Sequence, residues 1–320
     1  MKNKFFFFLP PLLLAFHFLT AQPQTHFYRA WTTNSSHLTQ DFTNHVVSVV
    51  SGTDTYVAGS TLGSSVSTYV LILSKYNARG ILQWSSTFTV NTGGNVHAGA
   101  ITLDPSGNVL ITGSAYNGTT NGYDLFVAKF NASGTKLWHQ LYNGGGNSYD
   151  GGTAVVCGSN SNVYVSGGAS QSAINIDVVT ICYNSSGTAQ WTQTWNNVSY
   201  FDFAGGIGLV STGGGLTNVR VTGFTQVNAT TWEYLALSYA STTGTLGSAT
   251  HTNVGGTVID KVNAAAFDAA GNVYITGAMG TGANGLDVKT VKLDASPNIL
   301  WTATYNGTAN KQDVGRGCRR

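Results

Sequence analysis

A short β-branched run that ends in an apolar residue, a small residue and glycine recurs five times along the chain. It reads Tyr56-Val57-Ala58-Gly59, Val109-Leu110-Ile111-Thr112-Gly113, Val163-Tyr164-Val165-Ser166-Gly167, Val219-Arg220-Val221-Thr222-Gly223 and Val273-Tyr274-Ile275-Thr276-Gly277. The glycines Gly59, Gly113, Gly167, Gly223 and Gly277 are separated by 54, 54, 56 and 54 residues. A second landmark keeps the same period: Trp31, Trp84, Trp138 and Trp191 are 53, 54 and 53 residues apart. The next expected position, near Leu246, lacks tryptophan, and Trp301 follows Trp191 by 110 residues, or two periods. Two landmarks in one register define a repeat, and a repeat constrains the fold more than any local propensity.

Each period holds four short strand-like runs. In the second unit these are Ala98–Leu103, Asn108–Gly113, Asp124–Phe130 and Lys136–Tyr142. Asp104-Pro105-Ser106-Gly107 and Asn131-Ala132-Ser133-Gly134 separate them with turn chemistry. Four antiparallel strands in about 54 residues have the size of one β-propeller blade. Composition agrees. Of 320 residues 40 are glycine, only 9% are charged, and Glu233 is the single glutamate. Long exposed helices would need more Glu and Lys. A hydrophobic content of 42% excludes wholesale disorder. The fold class expected is all-β, a propeller of four-stranded antiparallel blades.

The pattern carried by Asp104, Gly107, Asn108, Val109, Thr112, Gly113, Asp124, Lys129, Phe130, Asn131, Gly134 and Trp138 resembles the SBBP β-propeller repeat of secreted bacterial proteins. It recurs at Asp268, Gly271, Asn272, Val273, Tyr274, Thr276, Gly277, Asp287, Lys292, Leu293, Asp294 and Trp301. The resemblance covers about residues 26–318 and implies a propeller in a secreted or cell-surface setting. It implies no catalytic residues. The fourth unit departs from it at Thr231-Trp232-Glu233 and by its missing tryptophan. The Gly-x-x-x-Trp element also resembles repeats of quinone-cofactor propeller enzymes, but that family's adjacent cysteine pair is absent here.

The repeat divides the chain. Residues 1–21 read as a signal peptide: Lys2 and Lys4, an apolar run from Phe5 to Leu19, and cleavage after Ala21. Residues 22–45 hold an extra outer strand, Phe27–Thr33. Residues 46–305 make five blades (46–97, 98–150, 151–202, 203–260 and 261–305). In residues 306–320, Asp313-Val314-Gly315 resembles the opening of another blade's first strand, as in Asp150-Gly151-Gly152. A propeller longer than five blades is expected, and a five-bladed ring with spare ends is the rival. No apolar run after the signal peptide is long enough to span a membrane.

The formal charge of +2 comes from the two ends. Between residues 22 and 310 nine Lys or Arg face twelve Asp or Glu, a net of −3. That excludes the basic stripe of a nucleic-acid binder. Cys157, Cys182 and Cys318 form neither a disulfide framework nor a zinc pattern.

Blade topology sorts the acids. Asp150, Asp202 and Asp260 stand at the entry to each first strand, where Asn44 and His97 replace them in the first two units. Asp124, Asp177, Glu233 and Asp287 stand at the entry to each third strand. Both sets fall on the face that carries the long loops and Trp232, which is the candidate ligand-binding face. Each acid is expected to accept backbone N–H groups beside it; convergence on calcium is the functional alternative. The periodic residues Trp31, Trp84, Trp138, Trp191 and Trp301 are expected to pack between blades. The chain reads as a non-enzymatic scaffold or binding module for a glycan or an extracellular protein. A carbohydrate-active enzyme using the acidic face is the alternative.

Overall fold

The structure, a computed structural model, describes residues 47–308 and Asp313, apart from residues 64–67, 91–93, 173–174, 198–200, 214–215, 229–230, 253–257, 269, 281–284 and 297. The signal peptide, Trp31, Asn44 and Cys318 lie outside the described residues. Among the described residues there is no helix, so none is long and apolar enough to cross a membrane.

Twenty strands form five four-stranded sheets, each a simple antiparallel meander. The first holds β1 (Val47–Ser51), β2 (Asp54–Leu62), β3 (Tyr69–Tyr76) and β4 (Leu82–Phe88). The second holds β5 (Val96–Leu103), β6 (Val109–Tyr116), β7 (Tyr123–Phe130) and β8 (Lys136–Tyr142). The third holds β9 (Asp150–Cys157), β10 (Val163–Ser172), β11 (Asn175–Tyr183) and β12 (Ala189–Trp195). The fourth holds β13 (Asp202–Gly213), β14 (Leu216–Gln226), β15 (Trp232–Ala240) and β16 (Leu246–Thr252). The fifth holds β17 (Val258–Phe267), β18 (Val273–Gly280), β19 (Leu286–Leu293) and β20 (Ile299–Tyr305). The first strands of successive sheets pack side by side in the order β1, β5, β9, β13, β17.

The apolar core lies between sheets. One cluster joins Leu71, Leu73 and Phe88 of the first sheet to Val109, Ile111 and Phe126 of the second. Equivalent clusters join the second to the third, the third to the fourth and the fourth to the fifth. Alternation along each strand sends one set of side chains to the preceding blade and the other to the next.

The periodic glycine has a steric cause. In each blade the four strands are a, b, c and d in chain order, and strand a carries a bulge beside it: between Ala98 and Ala100 in β5, opposite Ser166/Gly167 in β10, and between Ala204 and Gly206 in β13. The bulge drives a carbonyl onto the bare Cα of strand b. A methyl group on Gly113, Gly167 or Gly223 would stand 1.9 Å from the carbonyl oxygen of His97, Gly151 or Phe203. The small residue before the glycine bonds across the sheet, as in Thr112 Oγ1 to Phe126 O (2.7 Å) and Ser166 Oγ to Val179 O (2.8 Å).

The turns explain the other fixed positions. Asn131 Oδ1 accepts the N–H groups of Ser133 and Thr135, and Asn184 does the same for Ser186 and Thr188. Asp104 and Asp268 perform this task in the a–b turns. Asp104 also pairs with Lys129 at 2.7 Å, with both side chains buried.

Candidate functional site

The d–a and b–c connections bring most of the sequence-selected residues to one face. The strand-a acids have a defined task. Asp150, fully buried, accepts N–H groups from Gly144 (2.5 Å) and Ser170 (2.6 Å) and the Ser170 hydroxyl (3.1 Å). Asp202 accepts the Asn197 N–H at 3.2 Å. Asp313 accepts Gly307 N–H at 2.5 Å, the same six-residue step back that joins Asp150 to Gly144. Asp150 and Asp202 thus clasp the loop that leads into their own strand. Asp260 lies in β17, and its side chain is outside the described ones.

Asp202 Oδ1 and one oxygen of each strand-c aspartate are left without a partner. These aspartates, Asp124, Asp177 and Asp287, are each at least 96% buried. Asn117 donates to the other oxygen of Asp124 at 2.7 Å. Burial raises the pKa of Asp124, against the Asn117 hydrogen bond, and the Asp150 charge raises it further. Burial also raises that of Asp177. The largest effect is at Asp202, pushed up to about 7 by burial, with the Asp177 charge adding to it. Asp202, Thr225 and Glu233 are paired across β13, β14 and β15. Glu233 Oε2 lies 2.5 Å from His251 Nδ1, and this pair is partly open to solvent. Among the described residues no group of three or more His, Cys, Asp and Glu is placed to hold a metal ion.

Aromatic rings complete the face. Tyr69, His97, Tyr123 and Tyr149 form a continuous ridge over the first three blades, with successive ring centroids 6.1, 6.0 and 5.9 Å apart. Tyr116 packs edge-on against Tyr123 at 5.4 Å. None of the five is buried, and Tyr149 is 47% exposed. Main-chain contacts fix the ridge: Tyr123 N–H donates to Ser148 O, and Asn95 Oδ1 accepts Tyr69 N–H. A second array stacks Phe201, Phe203 and Phe224 in the fourth blade, with Trp232 tilted against Phe224. Sequence reading selected His97 and Trp232 but passed over the tyrosines. Tyr69 and Tyr123 stand one period of 54 residues apart, at the start of the third strand of their blades, but Tyr116 and Tyr149 have no tyrosine one period away, so the period does not mark the set. It also passed over His251, whose partner Glu233 is 18 residues away and meets it only through strand pairing.

The cysteines stand apart from this face. Cys157 packs in the cluster toward the second blade and Cys182 in the cluster toward the fourth. They occupy opposite faces of one sheet, which bars a bridge between them. Burial raises both thiols to about 11.

No family model and no curated protein matches the chain. Solved structures do. A quinohaemoprotein alcohol dehydrogenase from Pseudomonas putida aligns at a TM-score of 0.50 and 12% identity, over 81% of this chain and 52% of that one. This chain thus spans about half the length of that enzyme. A polysaccharide lyase, an ulvan lyase, aligns at 0.48 and 13% over 81% and 70%. The β-propeller domain of the trilobed protease from Pyrococcus furiosus aligns at 0.43 and 8% over 80% and 71%. At such identities the likeness concerns fold alone: the protein is an all-β chain of four-stranded blades with the architecture of a β-propeller.

Proposed function

We propose that this chain is a secreted β-propeller module of the SBBP-repeat type that binds glycans on its loop-bearing face. The Tyr69–His97–Tyr123–Tyr149 ridge carries this reading. Pyranose rings present apolar C–H faces framed by hydroxyls, and tyrosine offers an apolar ring with a polar tip. Asn95 and Asn117, neither of them fully buried, lie beside the ridge as hydrogen-bonding groups. The ridge spans three blades through ring contacts near 6 Å, which suits an extended chain of sugars better than one residue. A glycan array probed with the purified chain tests it. Binding that survives in Trp232→Ala and is lost in Tyr149→Ala supports the ridge; no binding to any glycan overturns it.

One observation favours a second reading, a carbohydrate-active enzyme. The partly open Glu233–His251 pair shares a blade with Asp202, whose pKa near 7 is in the range of a general acid. Release of reducing ends from an array-positive glycan, abolished by Glu233→Gln, would favour turnover over binding.

A further inference from the structure

The charges around the tyrosine ridge all have one sign, and that narrows the ligand. Six connections reach this side of the first three blades: residues 63–68, 89–95, 117–122, 143–149, 173–174 and 196–201. None of them contains Lys or Arg. Acids adjoin the ridge directly: Asp124 follows Tyr123 and Asp150 follows Tyr149. Both are buried. The four Lys and Arg between residues 47 and 202 belong to the opposite turns. Lys75 pairs there with Asp54 at 2.9 Å and Lys129 with Asp104 at 2.7 Å. Arg79 lies in the turn between β3 and β4, and Lys136 opens β8.

The two acids keep their charge without a cation. Asp150 is held by N–H and hydroxyl donors, and Asp124 Oδ2 by Asn117. Asp124 Oδ1 has no partner. Among the described residues no Lys or Arg pairs with either acid. Neutral donors leave a carboxylate's negative charge in place, and from a poorly screened interior that charge acts on the surface beside it. The rings act in the same sense, because the face of an aromatic ring is its negative pole and attracts a cation. Tyr123 and Tyr149 present two such rings 5.9 Å apart, at the end of the ridge away from His97, its one basic side chain. The same field opposes a carboxylate or a sulfate.

We propose that the glycan held by this ridge is a chain of amino sugars, whose free ammonium groups lie against Tyr123 and Tyr149 in the field of Asp124 and Asp150. The inference rests on the ridge being a glycan site and adds the charge of its ligand. Neutral sugars bind there through ring contacts alone, and uronic or sulfated sugars bind least.

The test is calorimetry on the full chain at about pH 7, where a sugar amine, like an α-amino group, is mostly protonated. Three oligosaccharides of equal length are compared: β-1,4-linked glucosamine, the same chain fully N-acetylated, and oligogalacturonate. The amine form should bind at least about tenfold tighter than the acetylated form. Added salt should shrink that advantage, and oligogalacturonate should bind more weakly than either. Asp124→Asn removes the charge with little change of shape and should narrow the advantage at least about threefold. Should that variant fail to fold, the wild-type ratio and its salt dependence decide. Acetylated chain or oligogalacturonate bound as tightly as the amine form overturns the charge assignment and leaves the ridge standing. So does failure of all three to bind while a neutral glycan still binds through Tyr149. Failure of every glycan overturns the ridge as well. Oligolysine that displaces the amino sugar at equal concentration would assign the site to cationic peptides and also overturns the proposal.

Discussion

The indole of Trp191 rests on the bare Cα of Gly244, with its N–H bonded to Ser241 O one blade away. Trp191 is 9% exposed, so this joint is part of the core between the third and fourth blades. Trp191→Ala should cost about 3–5 kcal/mol. Trp301→Ala should cost less than about 1 kcal/mol, because that side chain is 43% exposed. Denaturant unfolding of both variants checks the contrast.

The glycines separate in the same way. Gly113→Ala places a methyl group against the His97 carbonyl, a backbone atom that cannot move without breaking the bulge. Its loss should exceed about 3 kcal/mol. Gly107 has φ of 79° but open space around it, so Gly107→Ala should cost only about 1 kcal/mol of left-handed strain. Equal losses would show that conformation rather than close approach fixes the repeat's glycine.

Asp202 gives the molecule a pH signature. A carboxyl ordinarily titrates near 4, and burial moves this one to about 7. Between these values the folded state keeps a proton that the unfolded chain has released. Stability from this group is therefore full below about pH 4 and is lost as pH rises toward 7, by up to about 4 kcal/mol. Asp202→Asn keeps an acceptor for Asn197 N–H and removes the titration. Its melting temperature should vary less over that window and exceed that of wild type at pH 8. An unchanged slope would assign the pH dependence to other groups.

Asp104 has the opposite sign. Burial opposes its ionisation, but hydrogen bonds from Lys129 and Asn108 outweigh this, and its pKa is lowered. Its contribution is present above about pH 4 and is lost as pH falls through the lowered value. Removing either partner alone, as Asp104→Asn or Lys129→Met, should cost about 3–5 kcal/mol, because a buried charge is left behind. The double variant should recover much of that in a double-mutant cycle.

The period was legible because a blade repeats its own joints: the glycine under a bulge carbonyl, the tryptophan over a turn glycine, and Asp104 or Asn131 closing a turn each need one residue type at one offset. Alternation and turn residues placed β8 at its observed ends, and β5 and β6 within two or three residues. The site was legible only in part. Asp150 and Asp202 could be assigned to the loop-bearing face from topology, and as loop clasps from ordinary aspartate chemistry. The Tyr69–Tyr149 ridge could not, because ring contacts across three blades depend on the pitch between sheets, which a one-dimensional period does not contain.

The binding ridge is tested most directly by titrating a glycan selected on the array into wild type, Tyr123→Ala and Tyr149→Ala by calorimetry, with folding verified by matched melts. The account expects saturable binding to wild type and a loss of at least about tenfold in each variant, or 1.4 kcal/mol. Wild-type affinity in both folded tyrosine variants would contradict it.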